Sequence, residues 1–211
     1  MTGIHDLPLF IAAGLLLNVT PGPDMAYMAA RSASGGFRAG AAAVLGTTTG
    51  CCVHTLAAAA GLSAVLATSA IAFDVIKWCG ALYLLYAGLR LLLAKGRKAT
   101  ARAPSTPAAG AFTIFREAML INVFNPKVAL FFLAFVPQFI DPDAPAKALA
   151  FTLLGALFNF DSLFVNLPVA WLASRSAQRL RDKATARLIL QRVTGSLFVL
   201  LAARLAWSSR T

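Results

Sequence analysis

Three short stretches and one histidine hold most of the residues able to do chemistry inside the apolar parts of this chain. The first stretch is Thr20-Pro21-Gly22-Pro23-Asp24, and the second is Asn125-Pro126-Lys127. Each places an N-capping side chain directly before a proline, the residue that suits a first helical position, in the middle of an apolar run. Such a pair reads as a helix that stops and starts again. A restarted helix presents free N–H groups and a positive dipole end, which suit an anionic group such as a carboxylate. Asp24 and Lys127 follow the two breaks; Asp24 could serve as a site residue or simply favour its own helix start. The third stretch is "LFNFDSLFVNLP", where Asp161 stands alone between Asn159 and Asn166. Ionisable groups at such depth line a cavity or pair with something, so Asp161 reads as a partner for a proton or an amine, against a structural hydrogen bond to a neighbouring helix. His54, in "GTTTGCCVHTLAAAAG", fits either a helix-to-helix hydrogen bond or a proton relay.

The elements that must position these residues follow from composition. Of 211 residues, 59% are hydrophobic and 13% charged, with a mean hydropathy of +0.73. Apolar runs of about 20 residues recur along the chain, each long enough to cross a ~30 Å hydrocarbon layer. The pattern predicts an all-α, polytopic membrane protein with six spans near 7–30, 39–66, 69–93, 112–140, 147–173 and 188–207. The segment MTGIHD has no basic residue of the kind that opens a cleavable signal peptide. Cys51, Cys52 and Cys79 fall within apolar runs and read as buried thiols. No metal-ligand spacing, phosphate-cradling loop or Ser/His/Asp set is visible, so neither a metal nor another cofactor is expected.

The net charge of +11 would suggest nucleic acid in a soluble protein. Here the basic residues concentrate in connections: Arg31 and Arg38 in the first, Lys95, Arg97, Lys98 and Arg102 in the third, and Arg175 through Arg187 in the fifth. The second has only Asp74, and the fourth has Asp141 and Asp143 against Lys147. The positive-inside rule puts the basic connections in the cytoplasm and both termini on the outer face. Arg116-Glu117 reads as an interfacial ion pair, and Trp78, Tyr83, Tyr86, Trp171 and Trp207 as interface anchors.

The halves repeat. "NVTPGP" resembles "NVFNPK", pairing Asn18 with Asn122; "VLGTTTG" sits where "LLGALFN" does; "KWCGALYLLYAG" matches "RVTGSLFVLLAA", pairing Lys77 with Arg192 and Gly80 with Gly195. The order is the same and the offset is about 105 to 115 residues. An odd number of spans per repeat reverses the second repeat in the membrane. The expectation is one transporter domain over 1–211. It comprises two inverted three-helix repeats, about 1–93 and 112–211, joined by a cytoplasmic linker over 94–111, with the first and fourth helices broken.

"TPGPDMAYMAARSASGGFRAG", "KWCGALYLLYAG" and "NPKVALFFLAFVPQFIDP" resemble the signature segments of the LysE/RhtB superfamily of amino-acid exporters, closest to the homoserine/threonine-resistance branch. The resemblance implies a multi-pass protein of the bacterial inner membrane, not an enzyme. It would export amino acids or their derivatives, driven by the proton motive force, with amino acid, protons and lipid as partners; a homo-oligomer is compatible with it. The family's proline break maps onto Pro21-Gly22-Pro23 and its NPK segment onto Asn125-Pro126-Lys127; the residues themselves add Thr20 and Asp24 to the expected substrate site, and Asp161, Asp24 or His54 as the expected proton carrier. The rival readings are an exporter of inorganic cations or other toxic solutes, which would want several carboxylates or thiolates on one cavity, and a membrane-embedded redox or enzymatic protein.

Overall fold

The computed structural model describes residues 2–62 and 109–175, together with isolated positions of the third and sixth apolar segments (75, 78, 81, 82, 85, 86, 88, 89, 92, 93, 192, 195, 196, 199, 200, 202 and 203). Lys77, Cys79 and Gly80, most of the 94–111 linker and most of the fifth connection lie outside the described residues. Every element among the described residues is helical, and one isolated β-bridge joins Ile4 to Ile140.

Helix α1 spans Leu7–Val19 and α2 spans Pro23–Ala57, prolonged by a π turn over Ala58–Leu62. Helix α3 spans Ala111–Val123 and α4 Pro126–Leu130, which runs on through a π turn over Phe131–Phe135 and a 3-10 turn over Val136–Phe139. Helix α5 covers Lys147–Arg175. Pro23–Gly61 and Lys147–Arg175 are each long and apolar enough to cross a membrane; the pair Ala111–Val123 and Pro126–Phe139, bent by 48° at its break, passes the same test together.

A straight helix of 39 residues would be nearly 60 Å long, about twice the hydrocarbon thickness. It is not straight. Gly36 has φ 74 and ψ −175, a backbone state essentially confined to glycine, and there the chain folds back. The Ser32 hydroxyl consequently lies against Gly40, although eight residues of straight helix would separate them by roughly 12 Å. The expected connection over 31–38 is therefore not a loop. Helix continues to Gly35 and resumes at Phe37, because one glycine makes the whole reversal.

Lipid offers no hydrophobic drive to bring helices together, so they associate through close contact. The interface of α2 with α3 shows this: Gly46 lies against the Phe115 carbonyl and Ala118, and Gly50 against Asn122 and the Met119 carbonyl, with no room for a side chain. Between α1, α4 and α5 lies an aromatic core of Phe10, Phe131, Phe132, Phe135, Phe139, Phe151 and Phe158. The Phe131 and Phe158 rings stand 4.6 Å apart, and Phe10 meets Phe139 edge-on at 5.2 Å. Gly195 approaches the Gly88 carbonyl and Leu92, so the third and sixth apolar segments touch. At the other extremity of the core, the His5 N–H bonds the Phe139 carbonyl at 3.1 Å and the Asp141 N–H bonds the Gly3 carbonyl at 2.8 Å. These bonds hold the first residues beside the connection that follows α4.

Candidate functional site

Both expected breaks exist, and they meet. The first begins where α1 runs into Pro21, which has no N–H to offer the Leu17 carbonyl. Thr20 closes α1: its N–H reaches the Leu16 and Leu17 carbonyls, and its hydroxyl donates back to Leu16 O at 2.6 Å. The expected role of Thr20 as the N-cap of the next helix is thus corrected. Gly22 holds the N-cap position, and Pro23, rather than Pro21, stands at the start of α2. The second proline moved the restart two residues onward.

The second break follows the expectation. Asn125 caps α4, its Oδ1 accepting the Lys127 N–H at 3.0 Å, with Pro126 opening the helix. Lys127 then turns its side chain to the first break. The ammonium donates to the Leu17 and Thr20 carbonyls, each at 3.2 Å, and stands 3.8 Å from Asp24 Oδ1, both side chains being only 13% exposed. A cation from the second half therefore satisfies carbonyls that the prolines of the first half leave short of donors. A Cβ on Gly22 would stand 2.7 Å from Asp24 Oδ1 and 3.1 Å from Lys127 Nζ, so only glycine lets this backbone come so close.

Free N–H groups at the restarted helices were expected to receive an anion. The Met25 N–H is held by Asp24 Oδ1 at 3.0 Å, and the Lys127 N–H by Asn125. The positive charge at this junction is the Lys127 ammonium, and Asp24 is the carboxylate beside it.

His54 Nε2 lies 3.2 Å from the Asn122 carbonyl, one of the groups exposed by the second break, and its ring stacks on Phe132 at 5.8 Å. Facing a carbonyl, Nε2 has to carry the hydrogen. This is the helix-to-helix bond of the two roles considered.

Asp161 is not among the partners of Lys127. It is 6% exposed, packs against Gly14 of α1, and its Oδ2 is buried with no hydrogen-bond partner. Neighbouring amides share this state: Asn18 Nδ2, Asn122 Oδ1, Asn125 Nδ2 and Asn159 Oδ1 are also buried without partners. Asn159 Nδ2 approaches Cys52 Sγ at 3.7 Å, and Asn166 donates to Ser162 at 3.0 Å. Cys51 and Cys52 are free thiols.

Glu117 does not pair with Arg116 as the sequence suggested. It accepts from the Arg31 guanidinium at 2.8 Å and from the Tyr27 hydroxyl, while Arg31 Nε donates to Tyr27 Oη at 3.0 Å. The overlooked signal was the four-residue spacing of Tyr27 and Arg31, which puts both on one helix face. Of the expected interface anchors Trp78, Tyr86 and Trp171 are exposed, while Tyr83 and Trp207 lie outside the described residues.

The family described as LysE type translocator matches residues 15–209, a stretch that contains both breaks, Asp161 and His54. The chain belongs to that family. Among similar proteins are two called "Homoserine/homoserine lactone efflux protein". The one from Salmonella typhi is 32% identical over 197 residues, covering 93% of this chain and 94% of the relative. The one from Salmonella typhimurium strain LT2 is 30% identical over the same shares. No solved structure matches. This LysE-type translocator is thus a membrane transporter and not an enzyme, and the junction of its two proline breaks lies within the residues that match the family.

Proposed function

We propose that this translocator exports a small amino acid of the homoserine type, or its lactone, from the cytoplasm across the bacterial inner membrane, driven by the proton motive force. The substrate class is suggested by the named activity of relatives that are about 30% identical over nearly the full length. The observation that carries the mechanism is the Lys127 ammonium reaching across from one break to the carbonyls of the other. A substrate carboxylate, or the ester carbonyl of the lactone, would take the place of Asp24 at this ammonium, and the substrate's own ammonium would face Asp24 or Asp161, one of which also takes the proton.

Six spans in two inverted three-helix repeats give this site its symmetry and let it open to either side by rocking one repeat against the other. The basic connections would face the cytoplasm and both termini the outer side. The bonds between Gly3, His5 and the 139–141 segment support a shared side for the N-terminus and the fourth connection.

Counterflow in proteoliposomes, with a panel of labelled amino acids and with or without a pH gradient, tests the reading. Homoserine should exchange fastest, and an inward proton gradient should drive its net movement. A flat response across the panel refutes the assignment.

A further inference from the structure

Asp161 lies fourteen residues from each end of the 29-residue α5, roughly 21 Å of helix from Lys147 and from Arg175. It is thus at the midpoint of a membrane-crossing helix, where an anion without a partner costs several kcal/mol. Among the described residues it forms no ion pair, and its Oδ2 receives no hydrogen bond.

Among the described residues, the elements around it offer no compensating charge. Helix α1, which packs on it at Gly14, contains no ionisable residue. Lys127 of α4 is committed to two carbonyls and Asp24. On α2, Asp24 is held by Lys127 and by its own helix start, His54 by the Asn122 carbonyl, and Cys52 by Asn159, while Cys51 is buried. On α5 itself the nearest charges are the terminal Lys147 and Arg175.

We infer that the Asp161 carboxylate is one seat that the substrate's ammonium group and the coupling proton occupy in turn. The inference rests on the amino-acid export reading and removes Asp24 from the choice left open there. A proton or an ammonium relieves the cost of the buried anion, and each excludes the other, because one unpartnered oxygen serves both. Arrival of the substrate releases one proton, and departure of the substrate readmits one, which is the exchange an exporter driven by inward protons requires. Two features of α1 fit this seat. Gly14 lets α1 pack closely on the oxygen, since a Cβ there would stand 3.2 Å from Oδ2 and 3.3 Å from the Phe158 ring. One turn on, Asn18 holds a buried Nδ2 without a partner, a donor near an acceptor, matched to a ligand that carries both an amine and an acyl oxygen.

The test is chemical modification of the full-length protein in proteoliposomes by dicyclohexylcarbodiimide, whose C=N bond adds the O–H of a protonated buried carboxyl. The adduct is located by mass spectrometry. Asp161 should be modified, and saturating homoserine should slow the modification at least fivefold. Half-protection should fall at the concentration that half-saturates counterflow. Lowering the pH should raise that half-saturating concentration while leaving the maximal exchange rate in place. Gly14→Ala, which crowds Oδ2 without touching its charge, should raise it several-fold with the carboxyl still modifiable. If Asp161 is not modified, or is modified at the same rate with and without saturating homoserine while counterflow proceeds, the shared seat is wrong and export stands. If no amino acid supports counterflow, the export reading itself fails and the seat falls with it.

Discussion

Replacing Lys127 by Met should damage the junction more than replacing Asp24 by Asn, and the two changes together should cost less than their sum. Lys127 Nζ holds the Leu17 and Thr20 carbonyls at 3.2 Å and Asp24 at 3.8 Å, in a place where both charged side chains are 13% exposed. Met keeps the stem and removes the charge, so Asp24 becomes a buried carboxylate with no cation, and the Leu17 and Thr20 carbonyls lose the ammonium, Leu17 keeping only the Thr20 N–H. Removing one partner of a buried pair costs about 3–5 kcal/mol. Asp24→Asn leaves the ammonium its two carbonyl acceptors and forfeits one charge-assisted contact, about 1.5–3 kcal/mol. In the double variant no charge is stranded, and the coupling between the sites should come to about 1–3 kcal/mol. Reversible unfolding in mixed micelles, followed by circular dichroism for the wild type, both single variants and the double, gives the four free energies. Additivity to within about 0.5 kcal/mol would show that the ion pair contributes nothing, and the assignment of Lys127 as the link between the breaks would fail.

The other expected outcomes concern single elements. Gly36→Ala has open space around it, so its cost is backbone strain alone, about 1–3 kcal/mol, read as a lowered Tm in detergent. Gly46→Val pushes a branched side chain into the Phe115 carbonyl and Ala118; it should part α2 from α3 and show as loss of monodisperse protein on gel filtration. Asn125→Ala removes the cap of α4 and should destabilise by about 1 kcal/mol, measurable in the same unfolding assay. Asp161→Asn should abolish proton-driven export with normal amounts of protein in the membrane; wild-type efflux would take Asp161 out of the mechanism.

Local chemistry made the two breaks legible in advance. Proline removes a donor and fixes φ, and at Pro21, Pro23 and Pro126 a capping residue or glycine stands directly before it, so the helix stops or starts there; Pro168, preceded by Leu167, is carried within α5. Asn125, whose cap bonds span two residues, was legible in the same way, as was the helical class, which follows from long apolar runs that lipid permits in few other forms. The depth of Asp161 was likewise countable, as its distance along one helix.

Contacts between helices were beyond that reach. Arg116 stands next to Glu117 in the chain, yet helix geometry turns consecutive side chains to different faces, and the packing of α2 on α3 gives Glu117 to Arg31 and Tyr27 instead. Thr20 could have capped forward or backward; the second proline, at Pro23, and the exposed Leu16 carbonyl decided for backward. The breaks at 20–22 and 124–125 are legible from residues a turn or less apart, and the central acid of α5 from counting along one helix. Which side chains meet came from the packing: Lys127 serves carbonyls more than a hundred residues earlier, and among the described residues the Asp161 Oδ2 receives no hydrogen bond, because the close approach of glycine-bearing helix faces selects the contacts.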